Sequence, residues 1–171
     1  MRIVGFWLLL LHALWLPECA RGQEATQYRL LPGLDLRVFA CSGNPGHHVL
    51  SSQADLIQAL EELSKHCRPA DFQIMKVAFL ASLQSAGIQW QNEALAVIAE
   101  WYGTGMATAH LELTTNESGL LEASIVWKVP PPPLTPDTAV YRGAFAANKS
   151  VVNMIRVRGK KEEVTELAII K

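Results

Sequence analysis

The chain is short of most things that would announce a reaction. No G-x-S-x-G elbow occurs in it, no H-E-x-x-H, and no lone cysteine with distant histidine and asparagine partners. This removes the common signatures of serine hydrolases, zinc proteases and cysteine proteases. Basic residues are not in excess: 15 Lys and Arg face 16 Asp and Glu. A nucleic-acid surface needs such an excess, so none is expected. Only three cysteines are present among 171 residues. After the first 22 residues no run is apolar for the roughly 20 positions that a membrane helix needs.

The apolar run that does exist is at the start. Arg2 is followed by the stretch Ile3 to Leu16, and Ala20-Arg21-Gly22 places small residues at −3 and −1 of a cleavage point before Gln23. Residues 1–22 are therefore expected to be a signal peptide, and the protein secreted or periplasmic after cleavage. Cys19 offers the alternative of a lipid anchor, but Glu18 and Pro17 stand where a lipobox wants small residues. Cleavage leaves residues 23–171 as one domain of ordinary size. Loss of Arg2, Arg21 and Glu18 leaves 13 basic and 15 acidic residues, a net charge of −2.

Export also gives meaning to Cys41 and Cys67, the two cysteines that survive. They are expected to close a bridge across 26 residues, the alternative being two separate buried thiols.

Periodicity then divides the domain. A short strand is expected at Tyr28–Leu31 and another over Leu34–Ala40, where Leu34, Leu36, Val38 and Ala40 alternate with Asp35, Arg37 and Phe39. The turn-forming cluster Ser42–Gly46 ends it. Ser52 is an N-cap candidate with Asp55 in the first turn, and Leu56, Ala59, Leu60 and Leu63 follow at helical spacing. A second helix is expected from Asp71, with Phe72, Met75, Phe79 and Leu83 as its stripe and Gly87 as its stop.

From Trp90 the period falls to two. Leu95, Val97, Ala99 and Trp101 are placed on one face of a strand, and Tyr102-Gly103-Thr104-Gly105 is expected to turn or bulge with positive φ at Gly103 or Gly105. Ala107–Thr114 and Leu121–Val129 alternate around Asn116–Gly119 and form a hairpin candidate. Pro130–Pro136 cannot enter a central strand and is expected to connect in a polyproline conformation. Val140–Ala146, Val151–Val157 and Val164–Ile170 supply further strands. Helices first and strands afterwards mean α+β: an antiparallel sheet with two helices near the N-terminal side packed on one face.

Three places were weighed for chemistry. His47 and His48 follow a Gly/Pro loop, and a solvated loop is expected there. His110 and Glu112, two apart on a strand's polar face, have the residue types of an acid/base pair in a small secreted hydrolase. Asn116-Glu117-Ser118 and Asn148-Lys149-Ser150 are glycosylation sequons in turns. None of these assembles a reaction centre, so no catalytic, metal or cofactor residues are assigned.

The order of features from Trp90 to Arg158 resembles the C-terminal domain of the PrcB family, small exported bacterial proteins named for a subunit of an extracellular protease complex. The resemblance lies in Trp90-Gln91-Asn92-Glu93 leading into the strand Ala94–Tyr102, in the Gly103-Thr104-Gly105 turn, in two alternating strands ended by Pro130–Pro136, and in the closing strand Val151–Val157. The sequence departs from the family where Gly105-Met106 replaces a tighter Gly-Gly pair with an aromatic, and in the lipobox that Glu18 spoils. The resemblance implies a non-enzymatic binding or accessory domain whose partner is another exported protein such as a protease. Trp101, Tyr102, Gly103 and Gly105 are the expected partner contacts. A structural cell-envelope domain without a specific partner is the other non-enzymatic reading.

Overall fold

The computed structural model describes residues 26–41, 46–116, 118–160 and 163–170. The expected leader and the tip of the Ser42–Gly46 turn, up to Pro45, lie outside them. Among the described residues, eight strands form two four-stranded sheets and two helices cover the outside of one sheet, so the class is α+β. One sheet was expected; the chain makes two because its central strands are apolar on both faces.

The first sheet runs β1 (Tyr28–Leu30), β6 (Ala139–Asn148), β3 (Glu93–Tyr102), β2 (His47–Leu50), all antiparallel. Residues Ala94 to Ala99 of β3 are all buried, and so are Ala144 to Ala147 of β6. Alternation still operates, but it sorts residues between two cores. Leu95 and Val97 face the helices with Ala144 and Ala146. Ala94, Ala96 and Ile98 face the second sheet with Phe145 and Ala147. The alanines let three layers pack closely on either side of the strand pair.

The second sheet runs β4 (Thr108–Thr115), β5 (Leu120–Lys128), β7 (Met154–Arg158), β8 (Val164–Ala168). The expected hairpin is β4–β5, in register with Leu111 opposite Ile125. Leu121, Ala123 and Ile125 point inward and are joined by Ile155 and Val157. The β5–β7 pair is parallel, which a purely antiparallel sheet excludes. The crossover through β6, which belongs to the other sheet, brings the chain back in the same direction. At the hairpin tip Asn116 Oδ1 accepts from the backbone of Ser118 and Leu120, and Gly119 takes φ +78°. No L side chain adopts that conformation cheaply.

Helix α1 spans Gln53–Ser64, capped by Ser52, whose side chain accepts from Asp55 N. Helix α2 spans Pro69–Ala86 and starts two residues before the expected Asp71. Proline suits a first helical position because its missing N–H has no partner there anyway. Gly87 ends the helix in the left-handed conformation. Phe72, Phe79 and Leu83 are its buried face, with Met75 partly buried beside them.

The strand expected over Leu34–Ala40 is not one. Arg37–Ala40 is a single 3-10 turn. Asp35 Oδ1 accepts from Arg37 N, and Phe39 N donates to Leu36 O, which curls the chain. Val38 and Phe39 are then both buried, which adjacent residues of a half-exposed strand cannot be. Cys41 follows this turn and is bonded to Cys67, with Cα atoms 5.6 Å apart. The bridge therefore ties the turn to the α1–α2 junction.

Candidate functional site

Strand direction gathers the expected contact residues at one end of the two-sheet stack. The C-terminal end of β3 (Trp101, Tyr102) pairs with the start of β6 (Val140, Ala139). The start of β4 pairs with the end of β5, Thr108 opposite Lys128. The Gly103–Ala107 turn and the proline segment between β5 and β6 thus close the same end.

Two aromatic residues build its floor. Tyr102 and Trp127 lie with ring centroids 4.9 Å apart, and Lys160 Nζ sits 4.1 Å from the Tyr102 ring centroid. Trp127 Nε1 donates to Glu100 Oε2 at 3.3 Å, and Glu100 Oε1 accepts from Lys160 N at 2.8 Å. One carboxylate therefore fixes both the indole and the 159–160 turn. Trp101, adjacent to Tyr102 in β3 and on the opposite face of the strand, is 39% exposed, and Met106, Val129 and Leu134 are exposed too. Pro131 to Thr138 are exposed throughout.

The turn behaves differently from its expectation. Neither Gly103 nor Gly105 has positive φ; among the described glycines Gly87 and Gly119 do. Thr104 is buried, its carbonyl accepting from Ala107 N, so the reversal is made without a left-handed residue. Gly105 is needed for space. A Cβ there would lie 2.7 Å from Asp137 Cβ and 3.4 Å from Thr135 Oγ1. The close approach comes from the chain's own proline segment. A Cβ at Gly103 would meet nothing within 4 Å. Gly105→Ala should therefore lower stability by about 1 kcal/mol or more while Gly103→Ala changes it by less than about 0.5 kcal/mol. Urea unfolding of the two variants checks the ranking, and equal losses would refute it.

The other sequence candidates are scattered. His110 Nε2 lies 3.1 Å from Glu112 Oε1, but the side chains are 64% and 60% exposed on the outer face of β4. An acid/base pair needs shielding from water to gain from its contact, and this pair has none. His47 and His48 are in β2, not in a solvated loop, because they pair with Ile98 and Val97 of β3. They do point to opposite faces: His48 packs 5.3 Å from the Phe39 ring, on the helix side. Among the described residues no group of three His, Cys, Asp or Glu side chains converges as a metal site would require.

Burial lowers the pKa of both histidines; for His47 the Glu100 charge opposes the shift, and for His48 the His47 charge adds to it. Nδ1 of His47 is buried with no hydrogen-bond partner. The folded chain thus holds both rings neutral at pH values where the unfolded chain already binds protons. Stability contributed this way is present above about pH 6.5, the ordinary histidine value, and is lost as pH falls from there through the lowered folded values. The carboxylates of Asp35, Glu62 and Glu93, lowered chiefly by hydrogen bonds from Arg37, Lys65 and Arg29 respectively, add their loss only at more acid pH. Urea midpoints should therefore already fall between pH 7.5 and pH 5, about the window of histidine titration. Replacing His47 and His48 together by glutamine should flatten that slope; an unchanged slope would refute the assignment.

A polar cleft of about 530 Å³ lies at the opposite end of β3, lined in part by Arg29, Gln91, Asn92, Glu93 and Asn148. Periodicity gave no hint of it, because its walls combine the ends of β1, β3 and β6 with the loops beside them, which are distant in sequence. Its cations are already engaged. Arg29 binds both oxygens of Glu93 and the carbonyls of Ala86 and Gly87, and Lys149 donates to the carbonyls of Ser51 and Trp90. The centre of the second sequon is in this way a structural clamp. Amide side chains remain, and they carry no acid/base chemistry.

No family model, curated protein or solved structure matches the chain. Function has to be argued from the surface itself.

Proposed function

We propose that this chain is an exported, non-enzymatic binding domain that docks through the Trp101 end of its two-sheet stack onto another exported protein. The observation that carries the reading is the exposed Trp101, next in the strand to Tyr102, whose own ring is clamped against Trp127. A large indole held on a rigid strand loses little entropy on binding, and such residues dominate the energetics of protein contacts. Met106, Val129 and Leu134, in the turn and the proline segment at the same end, are exposed as well. A side chain at Gly103 would enter open space, and Gly105 seats the proline segment at this end. Export is supported by the apolar stretch Ile3–Leu16 and by the Cys41–Cys67 bridge, which persists in oxidising compartments. The resemblance to the PrcB family makes a protease or its complex the first partner to test.

Trp101→Ala should leave the melting temperature within a degree or two, since the residue is at a strand end and partly exposed. It should weaken partner binding by ~2 kcal/mol, about thirty-fold. His110→Ala and Glu112→Ala should leave binding unchanged. A hydrolytic activity abolished by either of those two variants would overturn the proposal in favour of an enzyme.

A further inference from the structure

The polar cleft at the Glu93 end of β3 combines a pinned backbone with uncommitted side chains. One of its walls is the segment from Gln89 to Glu93, which leads into β3. That backbone is held from several directions. Asn92 N and Glu93 N donate to Gln89 O at 2.8 and 2.7 Å, and Glu93 Oε2 accepts from Gln89 N at 2.9 Å. Lys149 N donates to Asn92 O at 2.8 Å, and Lys149 Nζ donates to Trp90 O at 2.6 Å. Gln89, Gln91 and Asn92 stand exposed on this fixed backbone, and among the described residues no protein group hydrogen-bonds to their side-chain amides.

What the cleft can hold follows from the groups left over. An anion needs a free cation, and both cations here are occupied: Arg29 by Glu93 and two carbonyls, Lys149 by two carbonyls. A metal ion needs converging ligands, and none gather among the described residues; the Glu93 carboxylate is already paired 2.8 Å from Arg29. A purely apolar ligand would strip water from three amides and leave them unpaired. Each amide offers both N–H donors and a carbonyl acceptor. Its complement is an uncharged molecule whose groups also donate and accept side by side, as vicinal hydroxyls do. We infer that this cleft binds a neutral saccharide.

Two aromatic residues suit the remainder of such a ligand. A sugar ring carries apolar C–H faces between its hydroxyls, and these lie well against an aromatic ring. Tyr28 lines the cleft, its ring set edge-on to Phe145 with centroids 6.5 Å apart and its hydroxyl donating to Leu113 O at 3.4 Å. An adjoining hollow shares Gln89, Gln91 and Asn92 and adds the half-buried Trp90. The cleft's volume of about 530 Å³ is that of a small-molecule site. A peptide is the competing neutral ligand. It would pair its backbone along a strand edge, and the edge strand at this cleft, β1, is three residues long. Because the 89–93 backbone is already fixed, no loop has to be ordered when a ligand enters.

NMR of the isotope-labelled full chain reads the side-chain NH2 groups directly. The probes are maltotriose, cellotriose and the N-acetylglucosamine trimer, with trigalacturonate as a charged sugar and a capped glycine–serine hexapeptide as a neutral peptide. At least one of the neutral trisaccharides should shift the NH2 signals of Gln91 and Asn92 saturably. Trigalacturonate should bind at least about fivefold more weakly, since no free cation meets its carboxylates. Gln91→Ala and Asn92→Ala should each weaken the binding about five- to tenfold with an unchanged melting temperature. Trp101→Ala should bind the sugar like the parent, because Trp101 and Glu93 lie at opposite ends of β3; loss of protein docking in that variant and loss of sugar binding in the other two are separate results. No shift with any of the three neutral sugars overturns the inference, as does equal or tighter binding of trigalacturonate. Undiminished binding by the Gln91→Ala, Asn92→Ala double variant overturns it too. If the hexapeptide alone shifts these amides, the cleft is a peptide site and the saccharide reading is wrong.

Discussion

Phe79→Ala should cost about 3 to 5 kcal/mol, measured as the loss of unfolding free energy in urea. Phe79 has no exposed surface. Its ring meets Phe39 edge to face, with centroids 5.2 Å apart. That contact joins α2 to the 3-10 turn, and through Phe39 to β2, whose His48 ring lies 5.3 Å from Phe39 between centroids. Truncation removes the transfer free energy of the ring and leaves a cavity that the surrounding elements, held by the sheet and the disulfide, cannot close. A whole domain is stable by only about 5 to 15 kcal/mol, so the variant should be close to unfolding at room temperature. Ile74→Ala, on the exposed face of the same helix, provides the control and should cost less than about 1 kcal/mol. A loss below about 1 kcal/mol for Phe79→Ala would mean that the α2 layer is not packed as described.

Opening the Cys41–Cys67 bridge is the second large expected effect. The bridge closes a loop of 26 residues. On the chain-entropy model such a cross-link stabilises by about 3 to 4 kcal/mol, through the freedom it removes from the unfolded chain. The Cys41→Ser, Cys67→Ser double variant should lose roughly that amount relative to the oxidised parent, and reduction of the parent should reproduce the loss. Because Cys41 lies two residues beyond Phe39, this loss and that of Phe79→Ala share a neighbourhood and are not expected to add simply. The double variant carrying Phe79→Ala as well should not fold. Free thiols in the parent, or a double variant as stable as it, would contradict the bridge.

Elements with a local cause were legible in the sequence. Ser52 and Asp55 mark the start of α1 because the cap is a bond between neighbours in sequence. The β4–β5 hairpin was legible because its inward face is buried and its outward face is wet, so the alternation survives intact. What depends on remote partners was not. The strand expected at Leu34–Ala40 has the right alternation, but no neighbouring strand takes it, and the Asp35 side chain offers a local turn in its place. The second sheet was hidden because Ala94–Ala99 and Ala144–Ala147 are apolar on both faces, which one-sided alternation does not describe. The parallel β5–β7 pairing follows from a crossover, and no local pattern encodes it.

The candidate site divides the same way. Trp101 falls on the strand as its alternation put it, and Tyr102, which periodicity placed in the turn, is the strand's last residue. Trp127, Glu100 and Lys160, which hold Tyr102 in place, come from three separate elements. Gly105 was singled out for a backbone angle it does not have. Its need is for space beside Asp137, a contact 32 positions away in the chain. The partial burial of His47 and His48 was missed because the covering of β2 depends on β3, which is distant in sequence.

The central claim is that the Trp101 end is where this chain meets another protein. A photoreactive amino acid placed at Trp101 tests it in the native host, with the exposed Glu61, on the separate element α1, as the control position. Irradiation should give one discrete adduct from position 101, containing an exported protein, and none of that adduct from position 61. No adduct at position 101, or the same adducts at both positions, would contradict the account.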